Sequence, residues 1–80
     1  MNGVGERMNM TYLQATSFLQ KRGGLALDAR KHTSLQLRGL ATTAAGSKHI
    51  LVLKHSECLS VLVQMAIAKA AGTYVVFDFE

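Results

Sequence analysis

Proline and tryptophan are absent from this 80-residue sequence, cysteine occurs once, aromatic residues make up 6% and charged residues 18%. Each scarcity excludes something. Disordered tails and low-complexity linkers are rich in charge and poor in apolar side chains, whereas 49% of this chain is hydrophobic. The single cysteine, Cys58, builds no internal disulfide framework, and a lone thiol fits a reducing compartment, so a cytoplasmic location is expected. Cys58 and the three histidines show none of the paired spacings of a structural zinc site, and no metal is expected. The uncharged run Cys58–Ala68 is eleven residues long, well short of the ~20 that span a bilayer. The opening Met-Asn-Gly-Val-Gly-Glu-Arg carries no apolar stretch of signal-peptide type, so a soluble chain without membrane contact is expected. Neither the phosphate-loop pattern nor the dinucleotide-binding glycine fingerprint occurs, and no cofactor is expected.

What is present is an uneven charge. Residues 1–20 are neutral, residues 21–55 carry +6 and residues 56–80 carry −2, for a net +4. A basic centre and an acidic end suit an anionic partner or head-to-tail self-association, and equally an ordinary solvated surface.

The strongest internal signal is a 25-residue period. Short apolar runs begin at Leu25, Ile50 and Val75: Leu25–Asp28, Ile50–Leu53 and Val75–Phe79. Each reads as a strand, each is preceded by a stretch of helical period, and glycine stands between the two: Gly23-Gly24, Gly46 and Gly72. Glycine just past a helix end accepts the left-handed conformation that stops the last turn. Thr11-Tyr-Leu-Gln14 and Thr33-Ser-Leu-Gln36 both match the capping box, and Ser56 reads as a plain cap for a third helix. Helices are therefore expected over residues 11–22, 34–46 and 57–71. Gly39 inside the second costs ~1 kcal/mol relative to alanine, which calls for close approach by a neighbouring element.

The fold expected is α/β: three helix–strand repeats of about 25 residues forming a small three-stranded, mostly parallel sheet with packed helices. A chain this short buries only ~60–65% of its unfolded surface, which supports a single core. Residues 1–9 are expected to be a flexible N-terminal segment and residues 10–80 one small domain. Strand order stays open. Sequential order puts the crossover helices on one face of the sheet; order 2-1-3 puts them on opposite faces.

Two segments are more apolar than a core-facing stripe requires. In helix 57–71, Leu59, Leu62, Val63, Ala66, Ile67 and Ala70 form the stripe that would pack on the sheet, and Val61, Met65, Ala68 and Ala71 add a second. Ile50–Leu53 is apolar on both faces of its strand. An 80-residue chain has little protein left to cover both, so a homo-oligomer or a protein partner is expected, with Val61, Met65, Ala68, Tyr74 and Val76 at the interface. The competing arrangement folds the N-terminal helix over the bare face.

The strand-to-helix loops carry the remaining candidates, since parallel sheets bind ligands at the carboxyl ends of their strands. Lys31-His32-Thr33 and Lys54-His55-Ser56 repeat a lysine, histidine and hydroxyl between a strand end and a helix start, with Arg30 beside the first. Free N–H groups at a helix start make such a cluster a candidate cradle for phosphate or nucleic acid. The plainer reading makes Thr33 and Ser56 caps and the cations solvated surface. Cys58 with His55 outlines a nucleophile and base, though an apolar-flanked cysteine is more often packing, and no catalytic residue is assigned. Asp28 and Asp78 are equivalent in the repeat and, if adjacent, would raise one of the two pKa values, as acid–base pairs do; pairing with Arg30 or Lys54 is the simpler outcome. The function expected is thus a non-enzymatic protein-interaction module, a small regulator or stoichiometric inhibitor; the alternative is nucleic-acid or other anion binding through Arg30, Lys31, His32, Thr33, Lys54, His55 and Ser56.

Overall fold

A computed structural model describes residues 4–6 and 10–79. In chain order the elements are β1 (Val4–Glu6), α1 (Tyr12–Lys21), β2 (Gly24–Asp28), α2 (Ser34–Ser47), β3 (Leu51–Lys54), α3 (Val61–Ala71) and β4 (Val75–Phe77), with short 3-10 turns at Ala29–Lys31 and Ser56–Cys58. The strands form one parallel sheet in the order β1-β2-β3-β4. The α/β class and the helix–strand repeats are as the sequence indicates. The sheet gains a strand at its N-terminal edge from Val4–Glu6, inside the segment expected to be flexible; residues 1–3 and 7–9 lie outside the described residues.

Both capping boxes form. Thr11 accepts from the backbone N–H of Gln14 while the Gln14 side chain accepts from Thr11, and Thr33 and Gln36 do the same. Two helix boundaries differ from the sequence reading. Helix α2 runs through Gly46 to Ser47, and Lys48 takes the left-handed cap at φ 59°. Helix α3 starts at Val61 under a Ser60 cap rather than near residue 57, because Ser56–Cys58 closes into its own 3-10 turn. Gly72 ends α3 at the position expected, with φ +63° but ψ −123°, outside the left-handed helical region, its N–H bonded to the Ala68 carbonyl.

Sequential parallel strands joined by right-handed crossovers place every helix on the same face. Accordingly α1 packs beside α2 and α2 beside α3. Alternate strand residues, Leu25, Leu27, Leu51 and Leu53, point into that layer and are completely buried. They meet Ala15, Leu19, Leu37, Leu40, Ala41, Ala44, Ile67 and Ala71 from the helices, with Val75 and Phe77 at the margin. Helix α1 belongs to this layer and does not cover the opposite face of the sheet. On that opposite face the register lines up Ala26, Val52 and Val76 in one row, with Ile50 one step before β3. Ala26 is buried and Val52 half-buried, whereas Ile50 is 42% and Val76 47% exposed.

The glycine inside α2 has the reason the sequence asked for. A Cβ at Gly39 would collide with the Tyr12 hydroxyl of α1 and lie 3.3 Å from that ring's Cζ. Replacing Gly39 by alanine gains helix propensity of ~1 kcal/mol but displaces the ring. The expected result is destabilisation by about 0.5–1 kcal/mol in the native background and stabilisation by about 1 kcal/mol when Tyr12 is already alanine. Urea unfolding of the four proteins in the cycle measures that change of sign; equal effects in both backgrounds would remove Tyr12 as the cause.

Candidate functional site

Neighbouring parallel strands end at the same level, so the two Lys-His-hydroxyl loops come side by side. Asp28 at the end of β2 is in register with Lys54 at the end of β3, and the two 3-10 turns touch. The structure therefore assembles the cluster, and then occupies most of it. Asp28, 2% exposed, accepts from the Arg30 guanidinium at 2.8–3.2 Å and from the Arg30 backbone N–H at 2.9 Å. An aspartate at a strand end with a donor two residues on forms an Asx-type turn, which is how the sequence builds this pair locally. The Lys54 ammonium lies 3.7 Å from an Asp78 carboxylate oxygen, and His55 Nδ1 lies 3.7 Å from Glu57. Across the sheet end the charges thus alternate: Arg30, Asp28, Lys54, Asp78.

This alternation bears on two of the readings drawn from the sequence. Lys54 stands in the row between Asp28 and Asp78, so the two carboxyls do not form an acid–base pair; each takes the cation beside it. The hydrogen bonds from Arg30 outweigh the burial of Asp28 and hold its carboxyl down at about 2, where a shared proton would have raised it. The cations offered to an external anion are in turn faced by carboxylates. Thr33 spends its hydroxyl on the Gln36 N–H, and buried Ser56 donates its own to the Leu53 carbonyl while its backbone N–H bonds the Asp78 carbonyl. Lys31 is exposed at the rim.

Two further side chains complete the loops. His32 is half-buried, and its Nε2 is shielded with no hydrogen-bond partner among the described residues. Burial pushes this imidazole below its ordinary pKa, against the opposing pull of the Asp28 charge. Cys58 sits exposed in the second 3-10 turn, not in the first turn of α3, so it lacks the α-helical N-terminus that would activate it. Gln64, which the sequence did not single out, reaches back from α3 to the carbonyls of Leu59 and Ser56 and fixes this turn against the helix.

The residues expected at an interface fall on two separate surfaces. Val61 and Met65, 70% and 61% exposed, lie on the outer side of the helical layer with Ala68 beside them; Val76 lies on the open face of the sheet. Tyr74 is half-buried against the core. The two stripes of α3 also divide differently from the sequence reading: Leu62, expected inside, is 78% exposed, and Ala71, expected outside, is buried. Val63, Ile67, Ala70 and Ala71 are the α3 residues that face inward.

Among the described residues no group of three or more histidine, cysteine, aspartate or glutamate side chains could hold a metal, and no helix is long and apolar enough to cross a membrane. No family model, curated protein or solved structure matches the chain.

Proposed function

We propose that this protein is a non-enzymatic protein-interaction module, a small regulator or stoichiometric inhibitor, that works as a homodimer joined through the open face of its sheet. One observation carries the reading. A parallel sheet is ordinarily covered on both faces, and here all the helices lie on one, leaving the β3–β4 half of the other with exposed Ile50 and Val76 around half-buried Val52. A second copy is the occupant that suits this surface. A two-fold axis lying in the plane of an apolar, uncharged patch presents the same patch to itself, which makes it self-complementary at no cost in unpaired charge. A small sheet of such short strands is also marginal alone, and pairing two sheets face to face at about 10 Å is the usual remedy.

The anion-binding alternative, with nucleic acid as its leading ligand, draws on the strand-end loops but is supported less well, because Arg30, Lys54 and His55 each face a carboxylate. Light scattering separates the two readings. The dimer predicts a mass twice the 8.7 kDa of one chain, unchanged by added nucleic acid. A one-chain mass at the highest concentration reached, rising only when nucleic acid is added, would reverse the order of preference.

A further inference from the structure

The opposite layer of the molecule offers a second surface of different chemistry. On the outer side of the helices a groove of about 590 Å³ crosses α2 at Gly39, between Tyr12 and the Ala66–Ala70 stretch of α3. Its floor is low because Gly39, Ala66 and Ala70 are small. Leu35, Gly39 and Thr42 fall on one stripe of α2, and Leu62, Ala66 and Lys69 on one stripe of α3. Since the two helices follow parallel strands, both stripes run in the same direction. At their N-terminal ends Leu35 and Leu62 are 74% and 78% exposed, with Met65 alongside at 61%.

The charges of this groove have one sign. Among the described residues Arg38 and Lys69 line it, no carboxylate does, and neither cation takes part in an ion pair. That contrasts with the sheet end, where Arg30 and Lys54 have acidic partners. A groove walled by two helices also exposes no free backbone donors or acceptors in its walls. An extended segment laid in it would leave its own N–H and C=O groups unpaired on the buried side, whereas a helix satisfies them internally.

We infer that the groove between α2 and α3 binds an acidic amphipathic helix of a partner protein. Its apolar side chains rest on Leu35, Ala66 and Ala70, with exposed Leu62 one turn before Ala66, and its carboxylates reach Arg38 and Lys69. This rests on the interaction-module reading, but it uses the layer remote from the dimer face, so either can fail while the other stands.

The test uses the full chain and two labelled peptides about 18 residues long, enough for partial helix formation. One carries leucines on one face and glutamates on the other; its twin replaces every glutamate by lysine. Fluorescence anisotropy is expected to show saturable binding of the acidic peptide and at least about tenfold weaker binding of the twin. Arg38→Glu and Lys69→Glu should each weaken the acidic peptide about tenfold without changing the thermal unfolding of the chain, and raised salt should reduce its affinity. Equal binding of the two peptides, no binding of the acidic one, or indifference to both charge reversals would overturn the assignment. So would equally tight binding of an oligonucleotide of similar length, which would make the groove a polyanion site. Ile50→Glu, on the dimer face, should leave peptide binding intact; its loss there would move the binding surface to the sheet.

Discussion

Replacing Ile50 and Val76 together by glutamate should convert the proposed dimer into a folded single chain. Both side chains stand on the open side of the sheet, more than two-fifths exposed in the isolated molecule, so a carboxylate at either position is solvated there and costs the monomer little. The short edge strand β4 tolerates charge well, since edge strands commonly carry it. At a two-fold interface the same carboxylates would be buried without partners, and each appears twice. Desolvating unpaired charge costs several kcal/mol per group, so self-association should weaken by more than about a hundredfold. Sedimentation velocity should show the one-chain species over the range where the native protein is paired, with unchanged far-ultraviolet circular dichroism. Val61→Glu, on the helical side, is the control and should leave the mass alone. If Val61→Glu separates the copies and the sheet variant does not, the dimer is built on α3.

The division between what is readable in the sequence and what is not follows the range of the interactions. Helix starts at Thr11 and Thr33 are written within four residues of sequence, because a capping box is a local hydrogen-bond exchange. The 25-residue spacing marks the helix–strand units for the same reason. Strand order is a tertiary property, and nothing within Leu25–Asp28 or Leu51–Lys54 names its neighbour. Strand β1 is three residues long, too short for an alternation pattern, and exists by pairing with β2. The start of α3 escapes the sequence because two serines four residues apart both look like caps. Ser56 is diverted to the Leu53 carbonyl and the core, leaving Ser60 to cap the helix. In the candidate site the residue types are legible and their mutual neutralisation is not: Asp28-x-Arg30 is a local motif, but Lys54 with Asp78 needs β3 beside β4. The groove on the helical layer has one forerunner in the sequence, a glycine at position 39 inside a helix.

Acid should weaken this protein through Asp28, and the size of the effect follows from its surroundings. The carboxyl titrates at about 2 in the folded chain against an ordinary 3.8. Between those values the unfolded chain takes up a proton that the folded chain refuses, so stability rises with pH across that interval and falls as pH drops through it. The stabilisation is complete above about 4 and gone below about 2. Taken at face value the depression amounts to about 2 kcal/mol, but the Arg30 side chain is 55% exposed and screened by water, so about 1 kcal/mol is the better expectation for the charge itself. Asp28→Asn, which keeps an oxygen for the Arg30 N–H, should lose that amount at neutral pH and show a correspondingly smaller decline between pH 4 and 2. Asp28→Ala also removes the turn-closing bond to the Arg30 backbone and leaves a small void at a 2%-exposed position, for a total loss of about 2 kcal/mol. In an Arg30→Gln background, Asp28→Asn should have almost no effect. Urea unfolding at pH 7 and pH 3 reads all of these, and a native-like acid slope in Asp28→Asn would assign the acid sensitivity to another carboxyl.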